Sequence, residues 1–205
     1  MPKLYLGKLN QMKTILIATD FSAAARNASI YGVKLAKVLN AKVILFSAFK
    51  LPPPIPSLNM NMSRYAIMMQ TDKRLLQEAD FLDPQKAMIE IICDEGAPED
   101  AIIKIANEKK ADFIIIGMQS AGKNFKKTFG RTAISLSRNS KIPVIMIPED
   151  VAFKNLDTLG YVPLLILPEI PSERQISNIK RFTKRNKYLN DSQVHNFQHQ
   201  EFSIY

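Results

Sequence analysis

Hydrophobic residues recur along this chain in two rhythms. Short apolar runs at 14–18, 41–48, 86–93, 111–116 and 142–147 alternate with stretches in which apolar residues return every three or four positions, at 23–39, 62–82, 98–110 and 128–139. The first rhythm predicts strands and the second amphipathic helices. Pro98 stands where a first helical turn accepts proline, so the third helix starts there. Phe113-Ile-Ile-Ile116 is apolar at every position, as a strand covered on both faces must be. In Leu51-Pro-Pro-Pro-Ile-Pro56 the prolines withhold their amide hydrogens from any ladder, so this segment is an exposed connection.

Strands separated by helices imply right-handed crossovers and a doubly wound α/β fold. The expectation is a Rossmann-like five-stranded parallel sheet with helices on both faces. Ligands of such sheets sit outside the carboxyl ends of the strands, where the strand order switches. Here those ends are Asp20 with Phe21 and Ser22, Ser47 to Phe49, Asp94 to Gly96, and the loop from Gly117 to Gly130. Pro143, at the start of the last strand, marks a sheet edge, and an unprotected edge invites a second copy.

The loop Gly117-Met-Gln-Ser-Ala-Gly122-Lys123 onward to Gly130-Arg131-Thr132 follows a buried strand and leads into a helix. Glycines permit close backbone approach, and successive amides at a helix start attract an anion. Lys123, Lys126, Lys127 and Arg131 add positive charge. The competing reading is a solvated basic connection. Gly117 to Lys123 has P-loop spacing, but Asn124 occupies the position of the magnesium-binding hydroxyl, and the loop follows the fourth strand rather than the first. No G-x-G-x-x-G occurs, which argues against a dinucleotide fingerprint.

Four segments now combine: Thr14-Ile-Leu-Ile-Ala-Thr-Asp20-Phe21-Ser22, Gly96-Ala-Pro98-Glu, Ala111-Asp112-Phe-Ile-Ile-Ile-Gly117 and Lys141-Ile-Pro143-Val144-Ile-Met-Ile-Pro148. In this order and spacing, over about residues 12–149, they resemble the universal stress protein family. The resemblance implies the adenine nucleotide alpha hydrolase-like fold and dimerisation through the last strand, from Pro143 to Ile147. It also implies that nucleotide-binding members place the Asp after the first strand near adenosine, with a loop G-x₂-G-x₉-G-[ST] around ribose and phosphates. Asp20, Gly117 and Gly130 match that pattern. Ser120 replaces its second glycine, with Gly122 two residues on, and Arg131 replaces its hydroxyl residue, with Thr132 adjacent. Ser120 adopts a glycine-like turn less readily, whereas Arg131 brings a planar cation suited to phosphate. Asp20 has a second reading, as a carboxylate capping a helix start.

The net charge of +9 divides into +7 over residues 1–150 and +2 over 151–205. This even spread favours an ordinary basic surface over a nucleic-acid site. No run reaches the length of a membrane span, and residues 1–11 carry no signal-peptide core, so the expected location is cytoplasmic. Cys93, the single cysteine, is expected to be buried in a strand and inert. Metal binding is not expected: His195 and His199 have i,i+4 spacing but lack the neighbouring Glu of the zinc motif. No nucleophile, base and acid set appears, so catalysis is not expected.

Residues 1–11 read as an N-terminal extension, 12–150 as the domain, and 151–205 as a C-terminal extension. Within that extension, Phe153 to Leu159 echoes the first strand and Ser172 to Lys180 the first helix, which suggests a truncated second repeat. Ile176, Ile179 and Phe182 form a narrow apolar stripe among basic residues, read as a solvated helix or one docked on its own domain, with contact to nucleic acid or an anionic membrane as the sharper alternative. Met60, Met62, Met68 and Met69 read as core filling or loop, with a lid over the ligand crevice as the sharper alternative. The functional expectation is a stress-response protein that binds ATP or a related adenine nucleotide, with Mg²⁺ only as the nucleotide's companion, and that signals through dimerisation. The alternative is a nucleotide-free interaction module.

Overall fold

The computed structural model describes residues 13–53, 60–83, 89–119, 130–150, 164–166 and 194–195. Five strands and four helices alternate along the main body. They are β1 (Lys13–Ala18), α1 (Ala23–Leu39), β2 (Ala41–Phe49), α2 (Met60–Leu82), β3 (Ile89–Glu95), α3 (Pro98–Glu108), β4 (Phe113–Met118), α4 (Arg131–Asn139) and β5 (Val144–Pro148). Two short strands from the tail follow, β6 (Leu164–Ile166) and β7 (Val194–His195). All join one sheet in the order β3-β2-β1-β4-β5-β6-β7. The five main strands pair in parallel, β6 runs antiparallel to β5, and β7 runs parallel to β6.

The period-2 alternation of the strands sorts the core into two layers. Ile15, Ile17, Val43, Leu45, Phe113, Ile115, Ile145 and Ile147 face a cluster completed by Tyr31 and Leu35 of α1 and Leu75 of α2. Leu16, Ile44, Phe46, Ile114, Ile116, Val144 and Met146 face the opposite cluster, completed by Ile102 and Ile105 of α3 and Leu136 of α4. Each such side chain, fully buried, contributes about 1.5–3 kcal/mol. Tyr31 is fully buried, and burial pushes its phenol up to about 12.

Local signals set the helix limits. Ser22 caps α1, its hydroxyl accepting from the Ala25 amide at 3.2 Å, and Asn40 ends the helix in the left-handed conformation. Pro98 opens α3 with Glu99 and Asp100 in the first turn, where the helix dipole favours acids. At the amino end of β4, the buried Asp112 carboxylate accepts from the Thr14 amide at 3.0 Å, tying β4 to β1.

Two expectations need correction. Cys93 is half-buried and not fully enclosed, because β3 is the outermost strand of its side. Burial and a hydrogen bond with Asp72 still push its thiol up to about 12. Pro143 to Ile147 does not form a bare edge, because β6 lies along it, with Val144 opposite Ile166, Ile145 opposite Leu165 and Met146 opposite Leu164. The strand echo at 153–159 and the helix echo at 172–180 lie outside the described residues. No helix among the described residues is long and apolar enough to cross a membrane.

Candidate functional site

The chain winds outward from β1 through β2 to β3, then crosses back to β4 and continues to β5. The switch therefore falls between β1 and β4, and the crevice outside their carboxyl ends is the place where such sheets take ligands. A cavity of about 380 Å³ opens there. The strand residues Ala18, Phe46 and Ile116 line it on one side, and the starts of α1, α3 and α4 on the other.

Asp20 is exposed on the rim, and its carboxylate accepts from the Ser22 amide at 2.9 Å. The helix cap is thus Ser22, and Asp20 closes the turn just before it. Behind them Thr19 acts as a pin. Its buried hydroxyl accepts from the Phe21 amide at 3.0 Å and donates to the Glu78 carboxylate of α2 at 3.4 Å. Phe21 holds φ 64°, a left-handed conformation that a bulky residue adopts only at a cost. Its ring turns away from the cavity toward the α1/α2 core layer, with the Arg74 guanidinium 3.9 Å above it. Phe21 shapes the turn but does not line the cavity.

Gly117, in β4, is demanded by close packing. A Cβ there would stand 2.4 Å from the Ala24 carbonyl carbon and 2.6 Å from the Ala25 nitrogen. Only glycine lets the strand press against the first turn of α1. Gly130, the residue before α4, is different. Its φ of −64° suits any residue, and a Cβ would meet nothing within 4 Å. Neither strain nor crowding among the described residues calls for glycine there. Arg131 and Thr132, the first residues of α4, line the same cavity.

Seven of the residues expected in the site therefore converge or support it: Asp20, Ser22, Gly117, Gly130, Arg131 and Thr132 at the cavity, and Phe21 behind the turn. Ser120, Gly122 and Lys123 lie outside the described residues. Sequence reasoning did not assign Pro98 and Ile102 to the lining, nor Glu78 to its support, and named Met118 and Gln119 only as part of the loop from Gly117 to Gly130. Glu78 was legible in one respect, since it falls at helical spacing between Leu75 and Leu82 on the inward face of α2. Among the described residues, no group of three or more His, Cys, Asp and Glu side chains is arranged to hold a metal ion.

Comparison with known proteins meets this geometry from the other side. The stress response protein NhaX of Bacillus subtilis (strain 168) is 25% identical over 159 residues, covering 65% of this chain and 96% of its own. A universal stress protein from Archaeoglobus fulgidus DSM 4304 superposes with a TM-score of 0.63 at 19% identity, covering 87% of this chain and 65% of its own. The universal stress protein UspA from Lactobacillus plantarum superposes with a TM-score of 0.54 at 20% identity, covering 67% of this chain and 99% of its own. The sequence model of the universal stress protein family matches residues 12–148, from the first strand to the end of β5. With that match spanning most of the chain, the protein belongs to the universal stress protein family.

Proposed function

We propose that this chain binds ATP or a related adenine nucleotide in the crevice between β1 and β4 and reports that binding without chemical turnover. The observation that carries the reading is Gly130. No described neighbour and no backbone strain requires glycine there, and a glycine adds no side chain at the start of α4. A phosphate at that point would meet the free amides of α4, the Arg131 guanidinium and the Thr132 hydroxyl. Asp20, across the cavity at the end of β1, is placed to accept hydrogen bonds from a ribose or a base. Mg²⁺ would arrive with the phosphates, because Asp20 is the sole carboxylate among the described lining residues. The same residues include no histidine, cysteine or lysine, so no nucleophile with its base is assembled there.

Such a reader of nucleotide levels belongs in the cytoplasm. The homodimer implied by the family resemblance would need the Pro143 to Ile147 edge bare, and β6 lies there instead.

Thermal unfolding of the full chain with excess ATP, with and without Mg²⁺, tests the reading beside a Gly130→Asp variant. At a hundred times Kd, binding adds about 2.7 kcal/mol to the native state. The expected result is a rise in Tm for the parent and none for a folded Gly130→Asp. No rise in the parent would overturn the reading and leave the nucleotide-free interaction module.

A further inference from the structure

The tail strands repeat a spacing seen at the front of the chain. β1 and β2 pair in parallel with Leu16 opposite Ile44, and β6 and β7 pair in parallel with Leu165 opposite Val194, so the two offsets differ by about one residue. In both cases the intervening segment is long enough for the crossover that parallel neighbours require. The likeness to the A. fulgidus protein also reaches over 87% of the chain, further than residues 12–148 extend.

β6 sits where it is most needed. Val144 to Ile147 are all buried, and no charged residue interrupts Val144–Pro148. Such a strand, left bare, offers unpaired amides and carbonyls flanked by apolar side chains to any matching edge. Two copies related by a twofold axis would join such edges antiparallel. β6 runs antiparallel to β5 and pairs with three of its five residues. Beyond it β7 has two residues, and a margin so short offers little to a further strand.

We propose that β6 and β7 repeat the parallel pairing of β1 with β2, and that β6 closes the β5 edge from within the same chain. β6 takes the antiparallel position that a second copy would otherwise occupy, so the protein is a monomer at this edge.

The test begins with the mass of the full chain by light scattering and the amide exchange of Val144 to Met146, each at micromolar and submillimolar concentration. The expected result is a 23.2 kDa species whose β5 amides are protected equally at both concentrations. A Leu165→Pro/Ile166→Pro variant then removes β6 as a partner. Successive amides of a strand point to opposite sides, so one of the two prolines faces β5 in either phase. The variant should gain concentration-dependent mass, approaching twice that of the parent, with its circular dichroism retained. Three results would overturn the proposal: a parent dimer whose β5 protection fades on dilution, a monomer in which the β5 amides facing away from β4 exchange freely, or a folded variant that keeps both its mass and the protection of those amides. If the variant does not fold, the exchange measurements on the parent decide alone.

Discussion

Glu90, Asp94 and Glu95 project from the β3 margin of the sheet, and each is ion-paired. Glu90 meets Lys42 at 2.5 Å and Lys109 at 2.6 Å, Asp94 meets Lys104 at 2.8 Å, and Glu95 meets Arg64. At the other margin of the five parallel strands, Val144 to Ile147 carry no charge and are fully enclosed. The first margin is guarded by side chains of its own strand and of the strand and helices around it. The second depends on a strand contributed from residues 164–166. An edge that keeps its side chains partly in water can be guarded by charge, whereas an edge built as core must be covered by backbone.

The largest test of this contrast is a pair of truncations. Ile145→Ala should cost about 2–5 kcal/mol, because the side chain is fully enclosed. Ile91→Ala on the half-buried β3 margin should cost about 1 kcal/mol. Urea midpoints measure both, and equal losses would break the contrast.

Alkaline titration gives the next effect. Folding holds the Tyr31 phenol near 12 against an ordinary value of 10.0, so the native state keeps a proton that the unfolded chain releases. Stability should be intact below about pH 10 and fall by up to about 3 kcal/mol as the pH rises to 12. On the margin, Cys93 is raised in the same direction, from 9.0 to about 12. Near pH 8 a thiol reagent should modify it on the order of a hundredfold more slowly in the native protein than in urea.

The smallest effect concerns the charges themselves. Hydrogen bonds from Lys109 and Lys42 hold the Glu90 carboxyl below the usual carboxylate range. Their contribution is present above that range and fades as the pH falls through the lowered value. Because these groups are solvent-exposed, Glu90→Gln should cost under about 1 kcal/mol, and added salt should shrink even that.

The sequence predicted the number and kind of the main elements because period and punctuation are local properties. Pro98 begins α3 and the continuous apolar run forms β4, as expected, although β4 starts at Phe113 and ends at Met118. Strand order is not local. Nothing in Ile89 to Glu95 says that β3 is outermost, and that placement decides the exposure of Cys93. β6 escaped for a similar reason, since the apolar run Leu164 to Leu167 is too short to separate strand from helix. At the site, Asp20 and Gly117 stood out because each follows an apolar strand run and matches the family pattern, whereas the packing that demands Gly117 appears only in the fold. Pro98 and Ile102 of α3 reach the cavity through tertiary geometry, which no spacing rule records.

The two glycines of the crevice answer to different judges as a lineage drifts. At position 117 every alternative residue collides with the backbone of α1, so the fold itself rejects change before any ligand is consulted. At position 130 none of the described residues demands glycine, and a substitution there should leave expression and solubility unchanged. A survey of tolerated residues at 130 across related chains would therefore act as a record of which lineages still use the crevice, while position 117 would stay silent on the question.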